Sequence, residues 1–514
     1  MACANLAYGP WERESAGTIC QVGGSGARFV NPTGDYAFFR LRLDGSLSVS
    51  SGRLEVEGEV GPGVAGFVYV VDRFNRILGQ APLSSTTYFD SEDEGACSLL
   101  VKVAPASEMR VSSLVVEGGE GFGPNFAFES VCSRLSGRVA VVVPSYPSSE
   151  SLYPCAFVHA RVRAYIEAGL ECEVIVAADC AGLSLYEIDG VRVVRTDMDG
   201  FERILQSKRF DAVALHFFDP GFAESLDRAL PENTPLILWS HNPETRYWDW
   251  PLFTARYFQP TPELSDECRL EFARRDEILA RYNRKANVNW VFVSDALKAR
   301  SEELLGFSFE RAHVIPNLVD ERMFRYRERA GRRASRIVCV RRFDDVASYA
   351  LDIVAQVIVE LSGRPVFEEL EFDIYGAGPL FGELTEPIAG FANVRLHRRF
   401  LSRAELAETF SDHDIALFPT RFDSQGVAMG EAAMTGLAVV SSDIPAARNF
   451  LPADRGLLCD VEDPVQYADA IERLHRDGEY FASCARACRE RVYATCRREV
   501  TVDREIELIR SLAL

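Results

Sequence analysis

From Val139 to Val143 the segment RVAVVVPSY is apolar without a break. A strand with one wet face alternates polar and apolar residues, so an unbroken run belongs to a strand covered on both faces, as in a parallel sheet. Parallel strands need a crossover, and one follows at once: FVHARVRAYIEAG has helical spacing and stops at a capping Gly169. ECEVIVAAD is the next buried strand, and the alternation continues through VRVVRTD, FDAVALHFF, TPLILWSH and WVFVSDALKARSEELLG. A second series opens near Arg336 with RIVCV, then LDIVAQVIVELSG, EFDIYG, NVRLHRRF, ELAETFSD, DIALFP, a helix around Glu431, and LAVVSS. The pattern predicts an α/β chain with two doubly wound domains, 135–318 and 319–485, and a closing helical segment, 486–514. Two such domains would face each other across a cleft, with ligands at the carboxyl ends of their strands.

Residues 1–134 read differently. YAFFRLRL, GRLEVEGEV, GFVYVVD, SLLVKV and SSLVVEG are short alternating runs separated by Gly, Asp, Ser and Pro clusters. Their spacing predicts an all-β, sandwich-like accessory module ahead of the two Rossmann-like domains. Such a module could serve structure or oligomerisation. It could also bind sugar through Tyr36, Phe38, Phe39, Tyr69 and Phe74, although aromatic residues in strands mostly fill cores.

A formal net charge of −20 argues against nucleic acid as a partner. Against that background nine arginines lie between Arg322 and Arg342, readable as a solvated linker or as a surface for an anionic substrate or membrane-bound acceptor. The thirteen cysteines contain no C-x-x-C pair. Cys484 and Cys488 can share a helix face but have no further ligands nearby, so a reducing compartment and no metal are expected. MACANLAYGPWERES lacks a basic region leading into an apolar core, and no stretch of eighteen apolar residues follows anywhere. The expected location is cytoplasmic, at most peripheral to the inner face of a membrane.

The chemistry concentrates in DIALFPTRFDSQGVAMGEAAMTGLAVVSSD, Asp414 to Asp443. It reads as a buried strand, a polar loop, a short helix beginning near Val427 and another strand. Unpaired N–H groups and the helix dipole make such a helix start an anion site, and Gly426 permits close backbone approach. Asp423 precedes the helix and Glu431 lies one turn inside it. Acids on either side of an anion-binding turn suit a ligand with phosphate in the middle and hydroxyls at both ends, as in a sugar nucleotide. Acids are also favoured near helix starts for purely structural reasons.

This segment resembles the signature of glycosyltransferase family 4, whose members have the GT-B fold: two acids separated by seven residues around a glycine turn. The resemblance spans about 135–485 and does not cover the β module. It implies that Glu431 meets the donor's ribose, Asp423 the transferred sugar, and the N–H groups of Gly426 and Val427 the diphosphate. The family usually has Glu where this chain has Asp423, which retains the charge but shortens the reach. VIPNLVDERMF resembles the crossing between the two domains. RIVCVRRF resembles the first strand of the donor domain, which makes Arg342 a diphosphate ligand. The lysine that usually follows is replaced by Ala347 and Ser348. IYGAGP places Gly376 at a strand-end turn under the nucleotide base; read alone, Gly376, Gly378 and Gly382 could also form a dinucleotide loop. In the first domain, His241 of WSHNPETRYWDW matches the strand-end histidine pointed at sugar or acceptor, with His216 a weaker candidate. Ser145, Ser148 and Ser149 follow the first strand where many relatives place glycines, and His159 reads as a packing residue.

The resemblance implies a retaining glycosyltransferase of the hexosyltransferase type, acting on a glycan or lipid-linked acceptor in bacterial surface-polysaccharide synthesis. It implies no cofactor and no required metal, with Asp423 and His241 catalytic and the helix start and Arg342 stabilising the departing diphosphate. Two other readings stay open at this level: a non-catalytic sugar-binding protein with a degenerate transferase domain, and an NADP-dependent oxidoreductase.

Overall fold

A computed structural model of the chain describes residues 5–23, 25–43, 51–60, 66–90, 98–118, 126–148, 154–180, 183–242, 244–249, 265–329, 331, 333–344 and 346–513. The chain forms two compact units, Met1–Leu238 with Ser511–Leu514, and Trp239–Arg510. Among the described residues no helix is long and apolar enough to cross a membrane.

In the first unit, the alternating strands pack as two antiparallel layers. One layer runs Glu12–Arg13, Ala37–Arg42, Ser98–Val103, Gly66–Val71, Ile77–Pro82; the other runs Ile19–Gly23, Gly26–Asn31, Ser107–Gly118, Ser51–Val60, Ser85–Asp90. Phe29, Leu54, Val56 and Val111 of one layer and Phe39, Val68 and Val101 of the other are wholly buried in one cluster, the sandwich that period-2 patterning demands. Phe39 is therefore core. Tyr36 adjoins the Val103 end of its layer while Phe74 lies beyond the Ser98 end, so the five aromatics do not share one platform.

The second layer does not stop at Ser85–Asp90. That strand pairs antiparallel with Leu183–Ile188, Leu183 opposite Tyr88, and buried Thr87 and Ser184 hydroxyls meet across the seam at 2.7 Å. Leu183–Ile188 turns through Asp189 and Gly190, both at positive φ (48° and 77°), into Val191–Thr196. From there the sheet is parallel, through Cys172–Ala177 and Val139–Val143 to Ala212–His216. The β layer and the doubly wound strands thus share one hydrogen-bonded sheet. The helix Ala156–Glu167 crosses between strands as expected and ends at Gly169 with φ 76°.

The second unit contains a six-stranded parallel sheet in the order Val394–His397, Glu371–Tyr375, Arg336–Val340, Ile415–Phe418, Ala438–Ser442, Leu458–Cys459. Numbered along the chain this is 3-2-1-4-5-6, the doubly wound order whose direction reverses between the first and fourth strands. Arg336–Val340 and Ile415–Phe418 are those two strands, and their carboxyl ends define the crevice. Leu351–Ser362, Val427–Thr435, Pro464–Arg476 and Gly478–Cys496 supply buried residues to the same core as the sheet. Cys339 and Cys488 lie in that core with their thiols pushed up to about 12 by burial, where they act as small apolar side chains.

Candidate active site

Pro419 and Thr420 leave the fourth strand at the switch point. The Thr420 hydroxyl donates to Ser348 O (3.0 Å), Arg421 N–H donates to the same carbonyl (2.8 Å), and Thr420 N–H reaches Ser442 Oγ (2.7 Å). The Arg421 guanidinium is held by Asp352, Glu462 and Val346 O. These contacts fix the loop, and Asp423 shapes its exit: Oδ1 accepts from Gln425 N–H (3.1 Å) and Gly426 N–H (2.8 Å). Gln425 is clamped in turn by the backbone of Asn317. Gly426 then takes φ 76° as the residue before the helix Val427–Thr435, a conformation that costs glycine little.

The structure brings Asp423 and His241 to one cavity of about 550 Å³. Its wall also includes Asn242, Arg246, Tyr247, Tyr349 and Phe422, with Phe272 and Arg275 contributed by the helix Asp266–Arg284. His241 and Asn242 follow the strand Leu236–Ser240, and their N–H groups both donate to buried Glu244 Oε2, at 2.9 and 2.8 Å. Asn242 sits at φ 145°, a conformation L-residues avoid and one that collects at functional sites. The Arg246 guanidinium lies 4.3 Å from the Phe422 ring centroid and is bonded to Asp249. Burial holds its pKa below the usual arginine value despite that partner.

The other expected residues are placed apart from the cavity wall. Glu431 is 2% exposed and its Oε1 is paired with Arg403; burial raises its pKa against that cation. Gly426 N–H is occupied by Asp423, which leaves the first-turn N–H groups from Val427 onward as the helix-start donors. Arg342 is exposed and bound to Asp344. Gly376 lies where a Cβ would come within 1.9 Å of Arg341 O, so the turn admits no side chain there. That turn follows the second strand of the sheet rather than the first, where a dinucleotide fingerprint would sit.

In the first unit, His216 is buried at the end of its strand, Ser145 Oγ contacts Cys155 Sγ (3.5 Å), and Ser149 lies outside the described residues. His159 joins Tyr146 Oη and Asp189, each at 3.0 Å, a link that its reading as a packing residue did not foresee. The arginine-rich stretch does not form one basic face. Arg329 and Arg341 turn inward, Arg327 and Arg333 meet Asp412 and Glu369, and Arg332 lies outside the described residues.

Residues 334–477 match the family model described as glycosyl transferases group 1. That segment is similar to group 1 glycosyl transferases. A D-inositol 3-phosphate glycosyltransferase from Paenarthrobacter aurescens is 33% identical over 90 residues, 17% of this chain and 22% of that protein. The chain therefore matches about a fifth of that relative's length. Sucrose-phosphate synthase from Thermosynechococcus elongatus superimposes with a TM-score of 0.55 at 14% identity, over 73% of this chain and 99% of that one. Anabaena HepE, solved in complex with UDP and glucose, gives 0.53 at 13% identity, over 73% and 100%. The fold is of the GT-B type, with an additional antiparallel module at the N-terminal end.

Proposed function

We propose that the chain transfers a sugar, with retention of configuration, from a nucleoside-diphosphate sugar to a glycan or lipid-linked acceptor. The observation that carries this reading is the convergence of Asp423 and His241 on one cavity beside the switch point of the segment similar to group 1 glycosyl transferases. Binding of UDP and glucose by the similar HepE supports the ligand class. The diphosphate lies between the start of the helix Val427–Thr435 and Arg342 beyond the first strand, where N–H dipoles and guanidinium charge stabilise the leaving group without a metal. Asp423 accepts from hydroxyls of the transferred sugar, and Glu431, held by Arg403, accepts from the ribose. Gly376 lies under the base, and His241 faces the reacting sugar from the cavity wall. The departing phosphate takes the acceptor's proton on the face it leaves. The setting is bacterial surface-polysaccharide assembly, with the enzyme on the cytoplasmic side of the membrane and in peripheral contact with it.

A thermal-shift panel with UDP, GDP, ADP and NADP tests this reading. Stabilisation by one nucleoside diphosphate is expected; stabilisation by NADP alone would overturn it.

A further inference from the structure

Among the described residues of the second unit three arginines are buried: Arg329, Arg341 and Arg421. Two have carboxylate partners. Arg329 donates to Phe410 O and Ser411 O beside Asp414, and Arg421 is bonded to two carboxylates and a carbonyl. Arg341 is the exception. It is 8% exposed, its Nε and Nη2 are buried without a hydrogen-bond partner, and among the described residues no carboxylate pairs with it. What surrounds its guanidinium is aromatic: the Tyr349 ring centroid at 5.0 Å and that of Phe418 at 4.6 Å. Aromatic faces attract a cation but replace only part of the water and counter-charge it has lost.

The position of this uncompensated charge is as informative as its burial. Arg341 directly follows the first strand, and Phe418 ends the fourth. The guanidinium therefore lies at the point where strand order reverses, where open α/β sheets take their ligands. Tyr349, which stacks on it, also lines the cavity shared by Asp423 and His241. The Gly376 turn presses against its carbonyl from the second strand. The neighbouring Arg342 is solvated and bound to Asp344.

We propose that Arg341 receives the donor's phosphate, which supplies the counter-charge that the folded chain lacks there, and that the phosphate reaches it past the Tyr349 ring. The proposal rests on the nucleoside-diphosphate reading and names the residue that carries its anion. It also answers the absence of a lysine at Ala347 and Ser348: the second cation comes from the strand end instead.

Arg341→Met tests it, because methionine fills similar volume without charge and removing a buried unpaired charge does not weaken a core. Thermal shifts are measured with and without UDP, GDP, ADP and inorganic pyrophosphate, and donor hydrolysis is followed in parallel. The expected result is a ligand-free Arg341→Met melting at or above the wild-type temperature. Its affinity for the stabilising nucleotide and for pyrophosphate should fall about tenfold to a hundredfold, and Arg341→Lys should recover part of the loss. Should Arg341→Met fail to fold, Arg341→Lys alone decides: weakened pyrophosphate protection supports the assignment, and unchanged protection overturns it. A folded Arg341→Met with wild-type shifts would assign Arg341 to packing and leave the proposed function standing. No shift of the wild-type protein by any nucleotide or by pyrophosphate would overturn the proposed function itself.

Discussion

Asp423 has two separable tasks: its Oδ1 builds the turn into the helix, and its charge faces the cavity. Asp423→Asn keeps an acceptor for the turn and loses only the charge. It should melt near the wild-type temperature while donor turnover falls by about tenfold or more. Asp423→Ala should in addition lose about 1 kcal/mol of stability, read by urea unfolding. Equal melting of both variants would deny the turn its role. Asn242 offers the opposite case, a residue whose backbone is costly where it stands. Asn242→Gly relieves φ 145° and should raise stability by about 1 kcal/mol, and a lower melting temperature would contradict the strain. The placing of Asp423 and His241 on the cavity wall was legible in sequence because each sits at a fixed offset from a strand end or helix start. Arg403 and Arg341 were not. The partner of Glu431 lies 28 residues away on another helix, and nothing local distinguishes an inward Arg341 from its solvated neighbour Arg342.

At the scale of elements, the helix Arg403–Asp412 positions the cation that meets Glu431, since Arg403 is its first residue. A capping box holds that end: Ser402 Oγ accepts from Glu405 N–H, and Glu405 accepts from Ser402 N–H. Ser402→Ala should cost about 1 kcal/mol, measurable by chemical denaturation, and should loosen Arg403 with it. Arg399 and the Ser402 hydrogen bonds hold the Glu405 pKa down, from 4.5 to about 2. A depressed carboxylate contributes stability that is complete above its unfolded pKa and disappears as pH falls through the folded one. The difference between wild type and Glu405→Gln should therefore be constant above about pH 5 and shrink between pH 4.5 and about 2. A difference that grew on acidification would contradict the assignment. The strands and helices of the second unit follow the sequence pattern closely, because parallel-sheet strands buried on both faces leave an unbroken apolar signature. Leu183–Ile188 escaped it: as an antiparallel strand with partly exposed positions, LSLYEI carries no such run.

For the molecule as a whole, the pairing of Ser85–Asp90 with Leu183–Ile188 was the feature least accessible to sequence. Composition separates the β region from the doubly wound strands, but it says nothing about two edges joining into one sheet. The join has a consequence. A chain beginning at Ser136 would expose the unpaired edge of Leu183–Ile188, and exposed edges recruit other strands. Such a truncation should elute as oligomers or precipitate in size-exclusion chromatography, whereas a soluble monomer would show that the module is dispensable to the fold.

The most direct test of the account is release of nucleoside diphosphate from a panel of UDP-, GDP- and ADP-sugars, followed by chromatography. The wild-type protein should release the nucleotide from at least one donor, and release should be lost in both Asp423→Ala and Glu431→Ala. Release that survives in both variants, or none from any donor in the wild-type protein, would contradict it.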